Sequence, residues 1–313
     1  MKIIVTGGAG FIGSHVVDAL INLDHKVIVI DNLSTGKEKN INSKAVFYNV
    51  DIRDKKRIED IFTKEKPDYV NHHAAHINVT KSVQIPQEDA EINILGSLNL
   101  IEASRKIGLK KFVYISTGGA TYGEPKYIPA KEDHPINPLA PYGVSKHTVE
   151  HYLYLYSKNY GLNYTTLRYP NVYGPRQDPK GEAGVIAIFS LQMLKGIQPT
   201  LFGDGTKTRD YVYVDDIVQA NILALNHGDN DIFNLGWGKG IQDKEIFHAV
   251  KHALGISVEP QYLNKRLGEL DHIALDASHA IELLEWIPCI SLEDGIQRAT
   301  SYYKENRLKY CTR

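Results

Sequence analysis

Tyr142 and Lys146 stand four residues apart in the run Tyr142-Gly143-Val144-Ser145-Lys146, a spacing that puts both side chains on one face of a helix. A phenol beside an ammonium is a proton-transfer pair. The free phenol has a pKa of about 10, too high for a base at neutral pH, and a nearby positive charge favours its ionised form. Lowering that pKa by roughly 3 units takes about 4 kcal/mol of preferential stabilisation of the anion. Thr117, expected just after a strand, offers a hydroxyl that could hydrogen-bond a reacting alcohol or pass on its proton. Ser116 competes for that role, but in extended backbone its side chain alternates away from that of Thr117.

Far upstream, Gly7, Gly10 and Gly13 pace the turn from the first predicted strand into a helix that begins with Phe11 and Ile12. Missing side chains let a pyrophosphate approach there, and the first amides of the helix supply donors for its oxygens. Asp31 ends the second predicted strand, where a carboxylate accepts from ribose hydroxyls and repels a 2′-phosphate, so NAD is favoured over NADP. Asn32, Ser34 and Gly36 follow it, Asp51 and Ile52 follow the third strand, and Ala74 and Ala75 leave room after the fourth. Asp51 reads either as a partner of the adenine amino group or as an ordinary loop cap. His72, His73 and His76 invite a metal reading, but no acidic or cysteine ligand adjoins them, so packing and hydrogen bonding are expected and no metal.

These residues need a scaffold that brings them together. Strands expected at 2–6, 26–30, 45–48, 68–71, 111–115 and 163–168 alternate with helical patterns near 11–23, 54–64, 88–107 and 142–160, which predicts a doubly wound parallel sheet covered on both faces. Pro138 and Pro141 mark the entry to the helix of Tyr142, and Gly161 its stop. Shorter elements follow beyond Pro170. The expected division is residues 1–170 as a Rossmann-like domain and 171–313 as a smaller α/β lobe, with 232–235 returning to the main sheet.

The 313 residues suffice for one large or two unequal domains. A net charge of -1 with dispersed acids and bases gives no track for nucleic acid. No stretch reaches membrane-spanning length and no leader precedes the first strand, so a soluble cytoplasmic protein is expected. Two cysteines, Cys289 and Cys311, make neither a disulfide framework nor a thiolate metal site, and Cys311 reads as part of a polar tail.

The chain resembles the extended short-chain dehydrogenase/reductase family, and within it the UDP-sugar 4-epimerases. The likeness is carried by residues 6–14, 31–36, 116–123, Tyr142 with Lys146, 168–177, 202–205, 209–212 and 266–269. It implies an NAD-dependent isomerase that interconverts UDP-glucose and UDP-galactose: oxidation at sugar C4 with Tyr142 as base, rotation of a 4-keto sugar, and return of the hydride to its other face. It also implies catalytic roles for Thr117, Tyr142 and Lys146, a cofactor contact at Tyr169, and substrate contacts at Asn171, Arg209, Arg266 and Glu269. A homodimer through the helices near 88–107 and 142–160 belongs to the same expectation. The sequence departs from the family pattern at His76, at Trp237, at Ile273 where some relatives have an aromatic residue, and at Glu285, where glycine usually precedes the tryptophan. Ile273 leaves room for an N-acetylated sugar. Gly118 and Gly119 after Thr117 lack the acidic pair of a nucleotide-sugar dehydratase.

Overall fold

The computed structural model describes residues 1–179, 184–264 and 270–311. In chain order its strands are β1 (Lys2–Thr6), β2 (Lys26–Asp31), β3 (Val46–Asn49), β4 (Tyr69–His72), β5 (Lys111–Thr117), β6 (Tyr164–Tyr169), β7 (Asn171–Tyr173), β8 (Thr200–Phe202), β9 (Thr208–Arg209), β10 (Tyr211–Tyr213), β11 (Asp231–Asn234), β12 (Ile241–Gln242) and β13 (Gln261–Leu263). Seven form one sheet in the order β11-β6-β5-β4-β1-β2-β3, with every pair parallel.

Strand side chains alternate between faces, and the core follows that period. Ile3 and Val5 enter one apolar cluster with Val16, Val17 and Leu20 of the helix Phe11–Asn22, whereas Ile4 enters another with Ile58, Leu100 and Val149. Helices therefore cover both faces, which explains why the strands read as continuous apolar runs rather than alternating ones.

The chain winds outward from β1 through β2 to β3, then crosses back to β4 on the other side of β1. That reversal opens a crevice at the carboxyl ends of β1 and β4, the place where such sheets bind ligands. Gly7 follows β1 there and His73, Ala74 and Ala75 follow β4.

Beyond β6 the shorter strands pair as β7 with β10, β8 with β13 and β9 with β12, making a smaller lobe. β11 returns to the main sheet beside β6, as expected for 232–235. Among the described residues no helix is long and apolar enough to cross a membrane.

Three local features differ from the sequence reading. The helix expected over 88–107 is composite: Pro86–Ala90, a wide π-type turn over Glu91–Gly96, then Ser97–Ile107. At the widened turn the Ser97 hydroxyl donates to the Asn93 carbonyl at 2.6 Å, a side-chain bond of the kind that competes with the helical ladder. β5 runs two residues further than expected, so Thr117 ends the strand rather than following it. The polar tail folds as a short helix, Arg307–Cys311.

Candidate active site

At the cofactor end the glycines are required by contact. Gly7 has φ +68°, and a Cβ there would lie 2.7 Å from the Ala74 nitrogen, so the loops after β1 and β4 touch across the crevice. A Cβ on Gly13 would lie 2.3 Å from the Gly7 carbonyl oxygen, which seats the helix Phe11–Asn22 directly on the loop. Gly10 is the N-cap of this helix, and its amide donates to Gly7 O at 3.0 Å. Phe11 and Ile12 form the first turn.

Asp31 is buried, with its carboxylate fixed by amides of Ala9 at 3.0 Å and Leu33 at 2.8 Å. Burial raises its pKa, and those two donors pull it back. Gly36 lies against the same carboxylate, where a Cβ would come within 2.8 Å of Oδ1. Asn32 and Ser34 are exposed beside it, and the Ser34 amide donates to Asn32 Oδ1 at 3.0 Å. Asp51 accepts from Asn32 Nδ2 at 2.9 Å and from Arg53 at 2.8 and 3.0 Å, and the Arg53 hydrogen bond leads the causes that hold its pKa at about 2. Ile52 is buried against Gly96. A cradle without side chains, a helix N-terminus and a fixed carboxylate fit a dinucleotide with free ribose hydroxyls.

At the reactive end, Thr117 closes β5 directly opposite Tyr169 of β6. Its side chain lies near enough to that of Tyr142, in the first turn of the helix Pro141–Tyr160, to ease ionisation of the phenol. A Cβ on Gly119 would lie 3.8 Å from Asn171 Oδ1 and 3.9 Å from Thr117 Oγ1, so these two polar atoms flank one small space. Ser116 faces the other way and donates to Glu150 Oε1 at 2.6 Å, as strand alternation requires.

Lys146 lies one turn beyond Tyr142, with Nζ 4.4 Å from the centre of the Tyr114 ring. The electrostatics overturn one expectation. Burial, with a smaller push from Asp89, raises the Tyr142 pKa well above its usual value, and the nearby Thr117 hydroxyl only partly offsets this. Burial likewise lowers Lys146 to about 7, although Glu150 and Asp89 favour its charge. Desolvation penalises both ionised forms, and here it is the largest influence on each.

The histidines divide as structural groups. His72 Nδ1 meets Thr6 Oγ1 at 2.6 Å and Nε2 meets Ser97 Oγ at 2.8 Å, and burial holds its pKa well below the usual value. Burial, then the charge of Lys146, takes His73 to about 3. Among the described residues no three His, Cys, Asp or Glu side chains group to hold a metal.

The Tyr169 hydroxyl accepts from Asn221 Nδ2 at 2.5 Å, and its ring tilts against His73. Behind the site, and missed by the sequence reading, Glu150 and Arg168 form a buried pair. Arg168 lies next to the end of β6, a fully buried strand, and Glu150 follows Lys146 by four residues. That spacing was the available signal.

A model of the NAD dependent epimerase/dehydratase family matches residues 3–236. The chain belongs to that family. Among solved structures of the epimerase/dehydratase fold, the UDP-glucose 4-epimerase of Thermotoga maritima with UDP-glucose is 50% identical with TM-score 0.97, covering 98% of this chain and 100% of that one. The Thermus thermophilus UDP-glucose 4-epimerase in complex with NAD is 44% identical with TM-score 0.94, covering 97% and 99%. A UDP-N-acetylglucosamine 4-epimerase from Methanobrevibacter ruminantium is 36% identical with TM-score 0.92, covering 97% and 98%.

In the smaller lobe of this epimerase/dehydratase, Arg209 donates to three backbone carbonyls, those of Thr208 at 2.8 Å, Asp271 at 3.3 Å and Leu270 at 2.7 Å. It thereby fastens the segment that follows residues 265–269. Arg266 and Glu269 lie outside the described residues. Asn171 starts β7, its amide bonded to Asp210 O at 2.9 Å. Ile273 is buried in a small cluster with Tyr122, Ala130 and Leu275, and Leu275 in turn presses on Gly118. Trp237 is held through its amide by Asp210 at 3.0 Å. Glu285 takes φ +56°, the left-handed backbone that glycine accommodates, which accounts for the glycine expected there.

Proposed function

We propose that the chain is an NAD-dependent UDP-sugar 4-epimerase that interconverts UDP-glucose and UDP-galactose. The observation that carries this reading is the convergence of Thr117, Tyr142 and Asn171 at the sheet end where the glycine cradle also opens. Tyr142, in its phenolate form, takes the proton of the sugar C4 hydroxyl, and Thr117 hydrogen-bonds the same alcohol. When bound, NAD supplies hydride exchange with C4 and, in its oxidised form, a positive ring in the crevice. Lys146 holds a second positive charge one turn from Tyr142, and Asp31 engages the adenosine ribose. The phenol that received the proton returns it when the 4-keto sugar is reduced, so net oxidation is zero.

Asn171 and Arg209 are assigned to the diphosphate and sugar, with Arg266 and Glu269 completing the UDP contacts. Arg209 acts in part by tying down the segment beside them. Gly118 and Gly119 have no acid to expel water from the keto sugar, which favours epimerisation over 4,6-dehydration. The aliphatic Ile273 favours a second reading, epimerisation of UDP-N-acetylglucosamine and UDP-N-acetylgalactosamine, because no aromatic ring narrows that position.

We also propose a homodimer through the helix Pro141–Tyr160 and the composite helix before it. An apolar groove between them is lined by Pro86, Ala90, Ile94, Leu139, Pro141 and Val144. Val144 and Leu155 project from the long helix with 49% and 45% of their surface exposed, and Leu95 with 55%. A second copy of that surface would cover them.

The test is incubation with UDP-glucose, UDP-galactose and their two N-acetylated counterparts, with direct separation of products. Interconversion at C4 without accumulating NADH is the expected result. A 4-keto-6-deoxy product would replace this reading with dehydration.

A further inference from the structure

Asp89 is a fully buried carboxylate on the short helix Pro86–Ala90, which packs against the helix of Tyr142 and Lys146. Its Oδ1 accepts from Asn93 Nδ2 at 3.0 Å and faces His76 Nδ1 at 3.3 Å. Asn93 also bonds both backbone groups of His76, accepting from N at 2.8 Å and donating to O at 2.9 Å. The wide turn at Glu91–Gly96 carries Asn93, so this knot ties the helix to the loop after β4. Asp89 Oδ2 has no hydrogen-bond partner.

A buried carboxylate with one bare oxygen is costly. The knot alone does not require it. An asparagine would keep the accepting Oδ1 and put an amide at the bare position, so what the aspartate adds is its charge. That charge is felt at Tyr142 and at Lys146, disfavouring the phenolate and favouring the ammonium. The other groups facing the pair are Glu150 on the same helix, Tyr114 and Thr117 on β5, His72 at the end of β4 and His73 after it. Both histidines are held neutral by burial, and Glu150 is already engaged by Arg168, Ser116 and His147. Asp89 is thus the carboxylate in this enclosure with an oxygen not committed to a donor.

We propose that Asp89 is a positioning residue of the reactive centre, supplying the buried negative charge against which the Lys146 ammonium and the Tyr142 phenol are balanced. His76 and Asn93 hold it in place. The proposal rests on the proton-transfer reading of Tyr142 and Lys146 given above.

The test is Asp89→Asn in the full chain with NAD, followed in two ways. Carbon-13 NMR of lysine Cε, with Lys146 assigned by Lys146→Met, reads the ammonium without any turnover. The pH profile of kcat/KM with UDP-galactose reads the reaction. Removing the negative charge lowers the pKa of both groups, so the Lys146 midpoint and the profile should each move to lower pH by about 1 unit. If Asp89→Asn does not fold, Asp89→Ser carries the same expectation. An unmoved midpoint in a folded variant overturns the proposal, and so does a moved midpoint with a profile that overlays the wild type. A wild-type chain that epimerises no UDP-sugar while the Lys146 midpoint still moves would remove the proposed function and leave Asp89 as the electrostatic partner of Lys146.

Discussion

Arg168 and Glu150 meet as a buried two-pronged ion pair, Nε to Oε1 at 3.0 Å and an Nη to Oε2 at 2.7 Å, immediately behind the strand that ends in Thr117. Ser116 donates to the same carboxylate, and Arg168 continues to the Tyr122 hydroxyl at 2.7 Å. The pair fixes β5, β6 and the helix of Tyr142 relative to one another. A two-pronged arginine contact sets both distance and orientation, which a single point charge would not.

Glu150→Gln should therefore cost about 3 kcal/mol or more, because it leaves the Arg168 charge buried without compensation. Burial pushes the Glu150 pKa up, but hydrogen bonds from His147 and Arg168 outweigh it and hold the group at about 2, against an ordinary 4.5. A carboxyl depressed in the fold stabilises above its ordinary pKa and loses that contribution as pH falls toward the folded value. Urea midpoints of the wild type should thus fall between about pH 4.5 and pH 2, with a shallower slope in the variant. Equal slopes would mean that the pair is not what acid breaks.

Gly13→Ala tests the cradle. A Cβ at that position would lie 2.3 Å from the Gly7 carbonyl oxygen, a backbone atom that cannot rotate away. The loop must shift off the start of the helix, so the variant should lose NAD at least tenfold more readily, read as cofactor retained through gel filtration. A control Gly161→Ala meets no atom within 4 Å and should keep its cofactor, at the cost of strain from its φ of +70°.

The cradle, Asp31 and the Tyr142 and Lys146 pair were legible because backbone constraint and one-turn helical spacing are local properties of sequence. Strand alternation likewise separated Ser116 from Thr117 correctly. Burial is not local. The sign of the Tyr142 shift depends on how much low-dielectric packing surrounds it, and no residue near it in sequence reports that. Asp89 and Glu150 escaped for the same reason: each reads as one more acid on a helix until neighbouring elements close over it. The π-type turn was hidden because Asn93 and Ser97 look unexceptional in a helical pattern, and their bonds at the widened turn and to His76 are long-range or side-chain contacts that the pattern does not show.

Glu285 offers a stability prediction outside the site. Left-handed backbone costs a residue with a Cβ about 1–2 kcal/mol, and glycine's extra unfolded-state freedom offsets roughly half of that. Glu285→Gly should raise stability by about 0.5–1 kcal/mol with turnover unchanged, seen as a higher urea midpoint at constant slope. No gain would show that the exposed Glu285 side chain makes a compensating contribution.

Lys146→Met should separate stability from activity. Burial lowers the folded Lys146 pKa to about 7 from an ordinary 10.5, so folding makes the ammonium costlier than in the unfolded chain. The resulting cost is fully present below about pH 7 and fades as pH rises toward 10.5, where the unfolded lysine also becomes neutral. Methionine removes the ionisable group, so the variant should gain up to a few kcal/mol at pH 6 and much less near pH 10, while turnover is lost. A gain independent of pH would attribute the effect to packing against Tyr114 instead.

Tyr142→Phe and Thr117→Val distinguish proton transfer from alignment. Phenylalanine keeps the ring but removes the atom that accepts the C4 proton, so kcat should fall by about 10²–10⁴-fold with UDP-sugar affinity nearly unchanged. Valine at 117 keeps the shape of the side chain and the β5 pairing but removes the hydroxyl that lowers the Tyr142 pKa. The phenol of this variant should therefore ionise at higher pH, and the acid limb of its kcat/KM profile should move up while turnover persists at a reduced rate. If both variants lost the same activity and neither changed the pH profile, Thr117 and Tyr142 would be positioning the sugar, and the base would have to be sought elsewhere in the crevice.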